Sequence, residues 1–199
     1  MGGWLSENET YRIIGINEDA RIQIKINDLT TGEEVSYPEV PGANLNNLMI
    51  SESEKYLLLS LGTSKTPGDI YLYEFGGTEL KKLTDNLNPE INPDDLIDAR
   101  VVRYPSFDGL EIPAIYYQPL MATKKNRVPA LVWVHGGPGG QSMVSYNPII
   151  QYLGNHGYAV LAVNNRGSSG YGKSFYKMDD QNHGDKDLKD CIWGKKWLQ

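Results

Sequence analysis

The sequence of 199 residues contains one cysteine, three histidines and no long apolar run. Because Cys191 is the only cysteine, an intrachain disulfide and a cysteine-based metal site are excluded. No segment approaches the roughly 20 apolar residues that a membrane-spanning helix requires. The N-terminus also lacks the basic and apolar regions of a signal peptide. These features predict a cytoplasmic protein with no membrane contact, no metal and no cofactor.

Acidic and basic residues are distributed unevenly along the chain. Residues 1–98 hold 7 Lys and Arg against 18 Asp and Glu, whereas residues 99–199 hold 12 against 7. The difference indicates two regions of different character. A strongly acidic first half argues against a nucleic acid partner, because the phosphate backbone requires a basic face. The opposite charges either help the two halves to dock or are simply solvated.

Residues 10–83 have the pattern of an all-β region, with short apolar runs separated by polar turns. The segment Arg21–Ile26 alternates polar and apolar residues with period two, which is typical of a half-exposed strand. A similar unit begins 48 positions later, at Asp69–Tyr73. This spacing is close to the roughly 40 to 45 residues of a four-stranded propeller blade. Leu48–Ile50 and Tyr56–Leu59 would supply further strands of the second blade.

We therefore predict that residues 1–98 form the last one to two blades of a β-propeller, with a polar linker at 84–98. At least four blades are needed to close a propeller, so this region would not close by itself. The alternative is a small independent β-domain. The domain boundary is predicted between residues 98 and 99.

From residue 100 the pattern changes to that of an α/β fold. An Asp-Gly turn at Asp108 separates two apolar runs, which predicts a β-hairpin. Ala130–Val134 and Tyr158–Val163 are continuous apolar runs, of the kind that form strands covered on both faces. The segment 147–155 is compatible with a helix between them. The order of strand, helix, strand and helix predicts an α/β sheet.

The last predicted helix opens with acidic residues at Asp185, which favour the helix N-terminus. Leu188, Cys191 and Ile192 fall on one face of this helix. The helix reaches Gln199 with no glycine cap, proline or polar tail. We therefore expect the chain to be a partial sequence.

Two glycine-rich segments follow the two buried strands. His135–Gln141 reads HGGPGGQ, and its small residues allow backbone amides to approach a ligand. Asn164–Gly172 follows the second strand, so both segments are expected at the carboxyl edge of the sheet, where α/β folds bind ligands. Neither G-x-x-x-x-G-K-[ST] nor G-x-G-x-x-G fits the first segment, which disfavours phosphate binding.

Three segments together resemble serine peptidases of the prolyl oligopeptidase family, nearest the dipeptidyl-peptidase and acylaminoacyl-peptidase branch. They are HGGPGGQ (135–141), GYAVLAVNNRGSSGYGKSFY (157–176) and HGDKDLKD (183–190). The upstream segment Tyr104–Ala114 resembles the entry of that family into its hydrolase domain after a β-propeller. The resemblance covers nearly the whole chain.

The resemblance implies a peptidase that cleaves short peptides through an acyl-enzyme, with a Ser-Asp-His triad. Residues 99–199 would be the N-terminal part of its α/β-hydrolase domain. It also implies that the Gly137 N–H donates to the oxyanion hole. His135, Gly136 and Pro138 would shape this loop, and His135 would not be the triad base. Arg166 would organise the floor of the site through ion pairs and hydrogen bonds.

The triad itself is not expected within these residues, because a nucleophile elbow requires G-x-S-x-G. Four serines have glycine two positions before them, but none has glycine two positions after: Ser64, Ser142, Ser169 and Ser174. His156 and His183 are expected to be structural or solvated. The isolated chain is therefore expected to be inactive. A non-catalytic interaction module and a fragment of a carboxylesterase remain alternatives, and the substrate specificity and oligomeric state stay open.

Overall fold

The computed structural model describes residues 2–137 and 139–199. Pro138, one of the predicted loop-shaping residues, lies outside the described residues. Contacts divide the chain into two compact units, residues 1–91 and 92–199. This division falls inside the segment 84–98, which the sequence indicates as a linker. Its last residues belong to the second unit, because the Gln151 side chain binds both the N–H and the carbonyl of buried Ile97, at 2.9 Å each.

The first unit begins with a four-stranded antiparallel sheet in the order β1-β2-β3-β4. In β3 the side chains of Ile24 and Ile26 are buried while Gln23 and Lys25 are exposed, so the predicted alternation is confirmed. The strands are β1 (Gly2–Leu5), β2 (Tyr11–Glu18), β3 (Arg21–Asp28) and β4 (Glu34–Val35).

A second antiparallel sheet repeats this arrangement in the order β5-β6-β7-β8. Its strands are β5 (Asn44–Ile50), β6 (Tyr56–Gly62), β7 (Asp69–Glu74) and β8 (Leu80–Lys82). Arg21 and Asp69 each open the third strand of their sheet, so the 48-residue repeat relates equivalent strands. Apolar side chains from both sheets form one buried core, which includes Ile26, Leu57 and Tyr73.

The second unit contains a mixed sheet in the order β11-β12-β10-β9. Its strands are β9 (Ala99–Pro105), β10 (Glu111–Tyr117), β11 (Ala130–Val134) and β12 (Ala159–Val163). β9 and β10 pair antiparallel, which confirms the predicted hairpin, and β11 and β12 run parallel. The helices are α1 (Pro148–Asn155), α2 (Lys173–Tyr176) and α3 (Lys186–Trp197). Asn147 caps α1 through its side-chain oxygen.

The two apolar strands of this sheet differ in burial. Every residue of β12 is buried, as predicted. The prediction that Ala130–Val134 is covered on both faces is wrong for β11, where Leu131 and Val134 are exposed. The reason is the coverage of the strands, because α1 and α3 both pack on β12, whereas β11 packs against α3 and lies at the edge of the sheet. A continuous apolar run does not distinguish the two positions.

Helix α3 packs through polar and small residues together with Cys191 and Trp193, which contact the apolar core of this unit. Its buried residues are Asp187, Asp190 and Gly194, whereas Leu188 is 54% exposed and Ile192 is exposed as well. Of the three residues predicted to share an apolar face, Cys191 contacts the core, whereas Leu188 and Ile192 are exposed. Across the described residues, no helix is long and apolar enough to span a membrane.

Candidate active site

The two glycine-rich segments meet at one edge of the second sheet. Because β11 and β12 are parallel, the chain leaves Val134 and Val163 in the same direction, as predicted. The Ser169 N–H donates to the Gly140 carbonyl at 3.0 Å. The Asn164 side chain accepts from the Ser142 N–H at 2.6 Å and donates to the Ser142 carbonyl at 3.0 Å. These bonds hold the two segments together.

The glycine loop presents backbone rather than side chains. Gly136 and Gly137 are exposed, and Gly137 has a φ of +55°, in the left-handed region that favours glycine. The Gly140 N–H donates to the Gly137 carbonyl at 2.7 Å and closes a turn. No acceptor for the Gly137 N–H occurs among residues 2–137 and 139–199. The loop can therefore offer this N–H to a ligand.

Tyr176, at the end of α2, lies directly against the loop. A Cβ placed on Gly139 would lie 2.6 Å from the Tyr176 ring and 2.7 Å from its hydroxyl, so a larger residue at this position would displace the Tyr176 side chain. The Tyr176 side chain remains 46% exposed beside the loop. This contact was not predicted, because a tyrosine nine positions beyond the Arg166-Gly167 pair carries no local signal of it.

His135 joins the start of the loop to the second segment. Its Nε2 lies 2.8 Å from the Oγ of Ser168, and Ser168 is completely buried. His135 is also near the carbonyl of Gly136, at 3.4 Å from Nδ1. The structure therefore brings His135, Gly136 and Gly137 together, whereas the pairing with Ser168 was not predicted.

The side chain of Arg166, in the second segment, lies in a buried charge cluster. Its guanidinium donates to both carboxylate oxygens of Asp190 at 2.9 Å, and its backbone N–H donates to Asp190 at the same distance. It also forms a two-bond ion pair with Asp108, at 2.9 and 3.0 Å. Arg166 is 4% exposed and Asp190 is 0% exposed. The predicted ion pairs of Arg166 are thus present, although the sequence did not identify their partners.

The two carboxylates of this cluster sit in different surroundings. Asp190 also accepts from the Ser106 hydroxyl at 2.5 Å, which satisfies its remaining lone pairs inside the protein. Asp108 is partly exposed, and its hydrogen bonds from Arg166 lower its pKa to about 2. Burial opposes the charge of Arg166, but the hydrogen bonds from Asp190 and Asp108 outweigh it and raise the pKa of Arg166. Asp108 and Arg166 are therefore both charged over the whole neutral range.

The remaining histidines make local contacts. His156 Nδ1 lies 2.9 Å from the Tyr152 carbonyl in α1, and His183 Nδ1 lies 2.7 Å from a carboxylate oxygen of Asp187. Both agree with the structural or solvated roles expected from the sequence. In the part of the chain that the structure describes, no three His, Cys, Asp or Glu side chains form a group able to hold a metal ion.

A groove of about 870 Å³ lies at the other end of the parallel strands, near their first residues, Ala130 and Ala159. Lys124, Arg127 and Lys195 line part of it. None of the predicted site residues borders this groove. The candidate site is consequently an open edge of the sheet and not this cavity.

Comparison with known proteins finds similar sequences among peptidases. A sequence model of the prolyl oligopeptidase family matches residues 144–199. The chain is 25% identical over 192 residues to the uncharacterized peptidase YuxL of Bacillus subtilis, which covers 95% of this chain. It is 27% identical over 207 residues to dipeptidyl aminopeptidase BIII of Pseudoxanthomonas mexicana, which covers 99%. The predicted resemblance to the prolyl oligopeptidase family is confirmed.

The fold of the chain is also found in a solved structure. A puromycin-hydrolyzing peptidase of Mycobacterium tuberculosis superposes over 100% of this chain with a TM-score of 0.84 and 22% sequence identity. This likeness supports the fold alone. The chain spans 31% of that protein, 28% of YuxL and 30% of the dipeptidyl aminopeptidase, so it corresponds to less than a third of the length of each.

Proposed function

We propose that residues 1–199 are part of a serine peptidase that hydrolyses peptide bonds in short peptides through an acyl-enzyme. Residues 1–98 would provide the last one to two blades of a β-propeller, and residues 99–199 the N-terminal part of an α/β-hydrolase domain. Two successive four-stranded antiparallel sheets support the first assignment. The mixed sheet with a glycine loop after a parallel strand supports the second.

The exposed turn at Gly137 is the observation that carries this proposal. An oxyanion hole needs backbone N–H groups that are already in position when negative charge develops on the substrate oxygen. Gly137 follows the carboxyl end of β11, is exposed and has no acceptor for its N–H among the described residues. Removing one such donor costs about 10²–10³ in kcat in serine peptidases. We therefore assign the Gly137 N–H as one donor of the oxyanion hole.

The neighbouring predicted residues would support this donor without touching the reacting atoms. His135, Gly136 and Pro138 shape the loop in this proposal. Arg166 would organise the floor of the site, since its guanidinium is occupied by Asp108 and Asp190 and is almost fully buried. A side chain with these contacts acts on the reaction only by holding the backbone around it.

The triad would come from polypeptide outside these 199 residues. No serine in the chain has the G-x-S-x-G context that a nucleophile elbow needs. One oxyanion donor without a nucleophile cannot form an acyl-enzyme. We therefore expect the chain by itself to be inactive and the full-length gene product to be active.

The test compares the 199-residue chain with the full-length gene product, using a p-nitrophenyl ester and a short peptide with a chromogenic leaving group. The full-length product should hydrolyse both, with a burst that a serine-directed inhibitor abolishes. The isolated chain should show neither burst nor turnover. Inhibitor-sensitive hydrolysis by the isolated chain would contradict the assignment of the triad to other residues.

The same assays separate the alternatives. A full-length product that hydrolyses the ester but not the peptide is a carboxylesterase rather than a peptidase. A full-length product inactive toward both substrates would instead support a non-catalytic interaction module. Either result removes the peptidase proposal.

A further inference from the structure

We propose that Ser168 and His135 form a hydrogen-bond relay of fixed direction, which positions the glycine loop and holds His135 as the tautomer protonated at Nε2. The direction follows from the donors and acceptors at three contacts in the second unit. Its catalytic consequence rests on the proposed function of Gly137, whereas the relay itself can be tested without any reaction.

The first contact fixes the proton of Ser168. Its Oγ lies 2.6 Å from the carbonyl oxygen of Asn165, and the side chain is completely buried. A carbonyl oxygen can only accept, and a serine hydroxyl has a single proton. The Ser168 proton is therefore committed to Asn165, and Ser168 can offer His135 only a lone pair.

The second contact then fixes the proton of His135. Nε2 lies 2.8 Å from the Ser168 Oγ, which is a normal hydrogen-bond distance. Because Ser168 has no proton left to donate, Nε2 must carry the hydrogen. A neutral imidazole has only one N–H, so Nδ1 is unprotonated in that state. Its distance of 3.4 Å to the Gly136 carbonyl is too long to reverse this assignment.

The glycine loop is folded closely over the oriented ring. A Cβ on Gly140 would lie 2.9 Å from His135 Nδ1 and 2.5 Å from the Gly136 carbonyl oxygen. The His135 ring therefore lies immediately beside Gly140, three positions beyond Gly137. The ring orientation and the loop conformation are coupled by direct contact.

The other end of the relay is attached to the buried charge cluster. The Ser168 N–H also donates to the Asn165 carbonyl, at 3.0 Å, and the Gly167 N–H donates to the Phe175 carbonyl at 3.0 Å. Arg166, between Asn165 and Gly167, is bound to Asp190 through both its backbone and its side chain. These bonds fix the backbone around Ser168, and Ser168 in turn positions the His135 ring. Ser168 and His135 are positioning residues in this proposal and not catalytic ones.

The tautomer can be measured directly in the 199-residue chain by long-range ¹H–¹⁵N NMR of the imidazoles in their neutral state. His135 should be protonated at Nε2. His156 provides an internal reference of the opposite kind, because its Nδ1 faces the Tyr152 carbonyl at 2.9 Å and must be the protonated nitrogen. Observation of Nδ1 protonation at His135 would overturn the proposal.

Substitution of Ser168 tests the coupling to the loop. Ser168→Ala should shift the tautomer equilibrium of His135 and the amide resonance of Gly137. The matched control is Ser169→Ala, since Ser169 contacts the loop through its backbone N–H, and both signals should stay unchanged. Unchanged Trp133 resonances would show that the Ser168→Ala chain remains folded. If such a chain kept both signals unchanged, the relay would be contradicted.

The catalytic consequence is tested in the full-length gene product. Ser168→Ala should lower kcat about 10-fold with little change in KM, because misplacing a transition-state donor affects the chemical step. His135→Gln can present an amide donor near the position of Nε2 and His135→Asn cannot, so the Gln variant should retain about 10-fold more kcat. Equal losses in the two variants would overturn the relay. An inactive full-length wild type with the predicted tautomer would instead remove only the proposed function.

Discussion

The two units of this protein differ in how far their charged groups are buried. In the first unit the largest fully buried side chains are apolar or aromatic, as at Ile26 and Leu57, and the buried carboxylate of Asp69 pairs with Lys82, whose side chain is 42% exposed. In the second unit both partners of an ion pair are buried, since Arg166 is 4% exposed and Asp190 is 0% exposed. Apolar burial is non-directional, whereas a buried charge pair is favourable only when its geometry and hydrogen bonds are nearly complete. The second unit therefore has a directional polar support for Asn164–Gly172, the segment that contacts the glycine loop.

Removing Asp190 should produce the largest loss of stability in this comparison. Asp190→Ala leaves Arg166 buried with its charge only partly paired, and such a change costs about 3–5 kcal/mol. The loss should appear in the unfolding of the second unit. Urea denaturation followed by fluorescence reports on it, since Trp133, Trp193 and Trp197 lie in this unit.

Asp108→Ala provides the control for this experiment. Asp108 binds the same guanidinium, but its side chain is 40% exposed, so its removal should cost at most about 1 kcal/mol. Comparable losses in the two variants would contradict the distinction between the buried and the exposed carboxylate.

A core truncation in the first unit should have the next largest effect. Leu57 is completely buried in the apolar core of the two sheets, and Leu57→Ala should cost about 3 kcal/mol through lost burial and a residual cavity. The fluorescence of Trp4 reports on this unit. Met49→Ala is the matched control, because Met49 is on the same sheet but exposed, and it should change stability little. A similar loss for Met49 would show that this core is not the stabilising element.

The difference between the units also explains how much the sequence could predict. Strands of the first unit were predictable because alternation of polar and apolar residues reports burial on one face. The meeting of the two glycine segments was predictable because parallel strands end at the same edge. Both inferences use local patterns, as at Arg21–Ile26 and His135–Gln141.

The partners within the candidate site were not predictable in this way. Asp190 lies 24 residues beyond Arg166, in a helix whose acidic residues were interpreted through the helix dipole. A charge in a helix gives no sign of whether it faces solvent or a buried arginine. The exposure of β11 was missed for a related reason, since edge and central positions depend on pairing across the sheet. The partner of Arg166 and the position of β11 in the sheet are both set by contacts between residues that are far apart in the sequence.

The pH dependence of stability tests the ion pair between Asp108 and Arg166. The hydrogen bonds from Arg166 lower the pKa of Asp108 from 3.8 to about 2. Because the folded-state pKa is depressed, the stabilising contribution is complete above the unfolded-state value and is lost as the pH falls through the folded-state value. The stability of Asp108→Asn should therefore differ from that of the wild type above pH 4, and the two stabilities should converge near pH 2. Unfolding midpoints across this range test the prediction, and a difference that grows toward pH 2 would contradict the sign.

The smallest effect is expected on the apolar face of α3. Leu188 is 54% exposed and Asp190, two positions later, is completely buried, so Leu188 contributes little to the packing of this helix. Leu188→Gln should therefore change stability by less than about 0.5 kcal/mol, as exposed substitutions usually do. Urea unfolding of Leu188→Gln beside Asp190→Ala compares the two faces of one helix. A loss at Leu188 as large as that at Asp190 would mean that the apolar face packs in solution, and the charge cluster would then no longer explain how α3 is held.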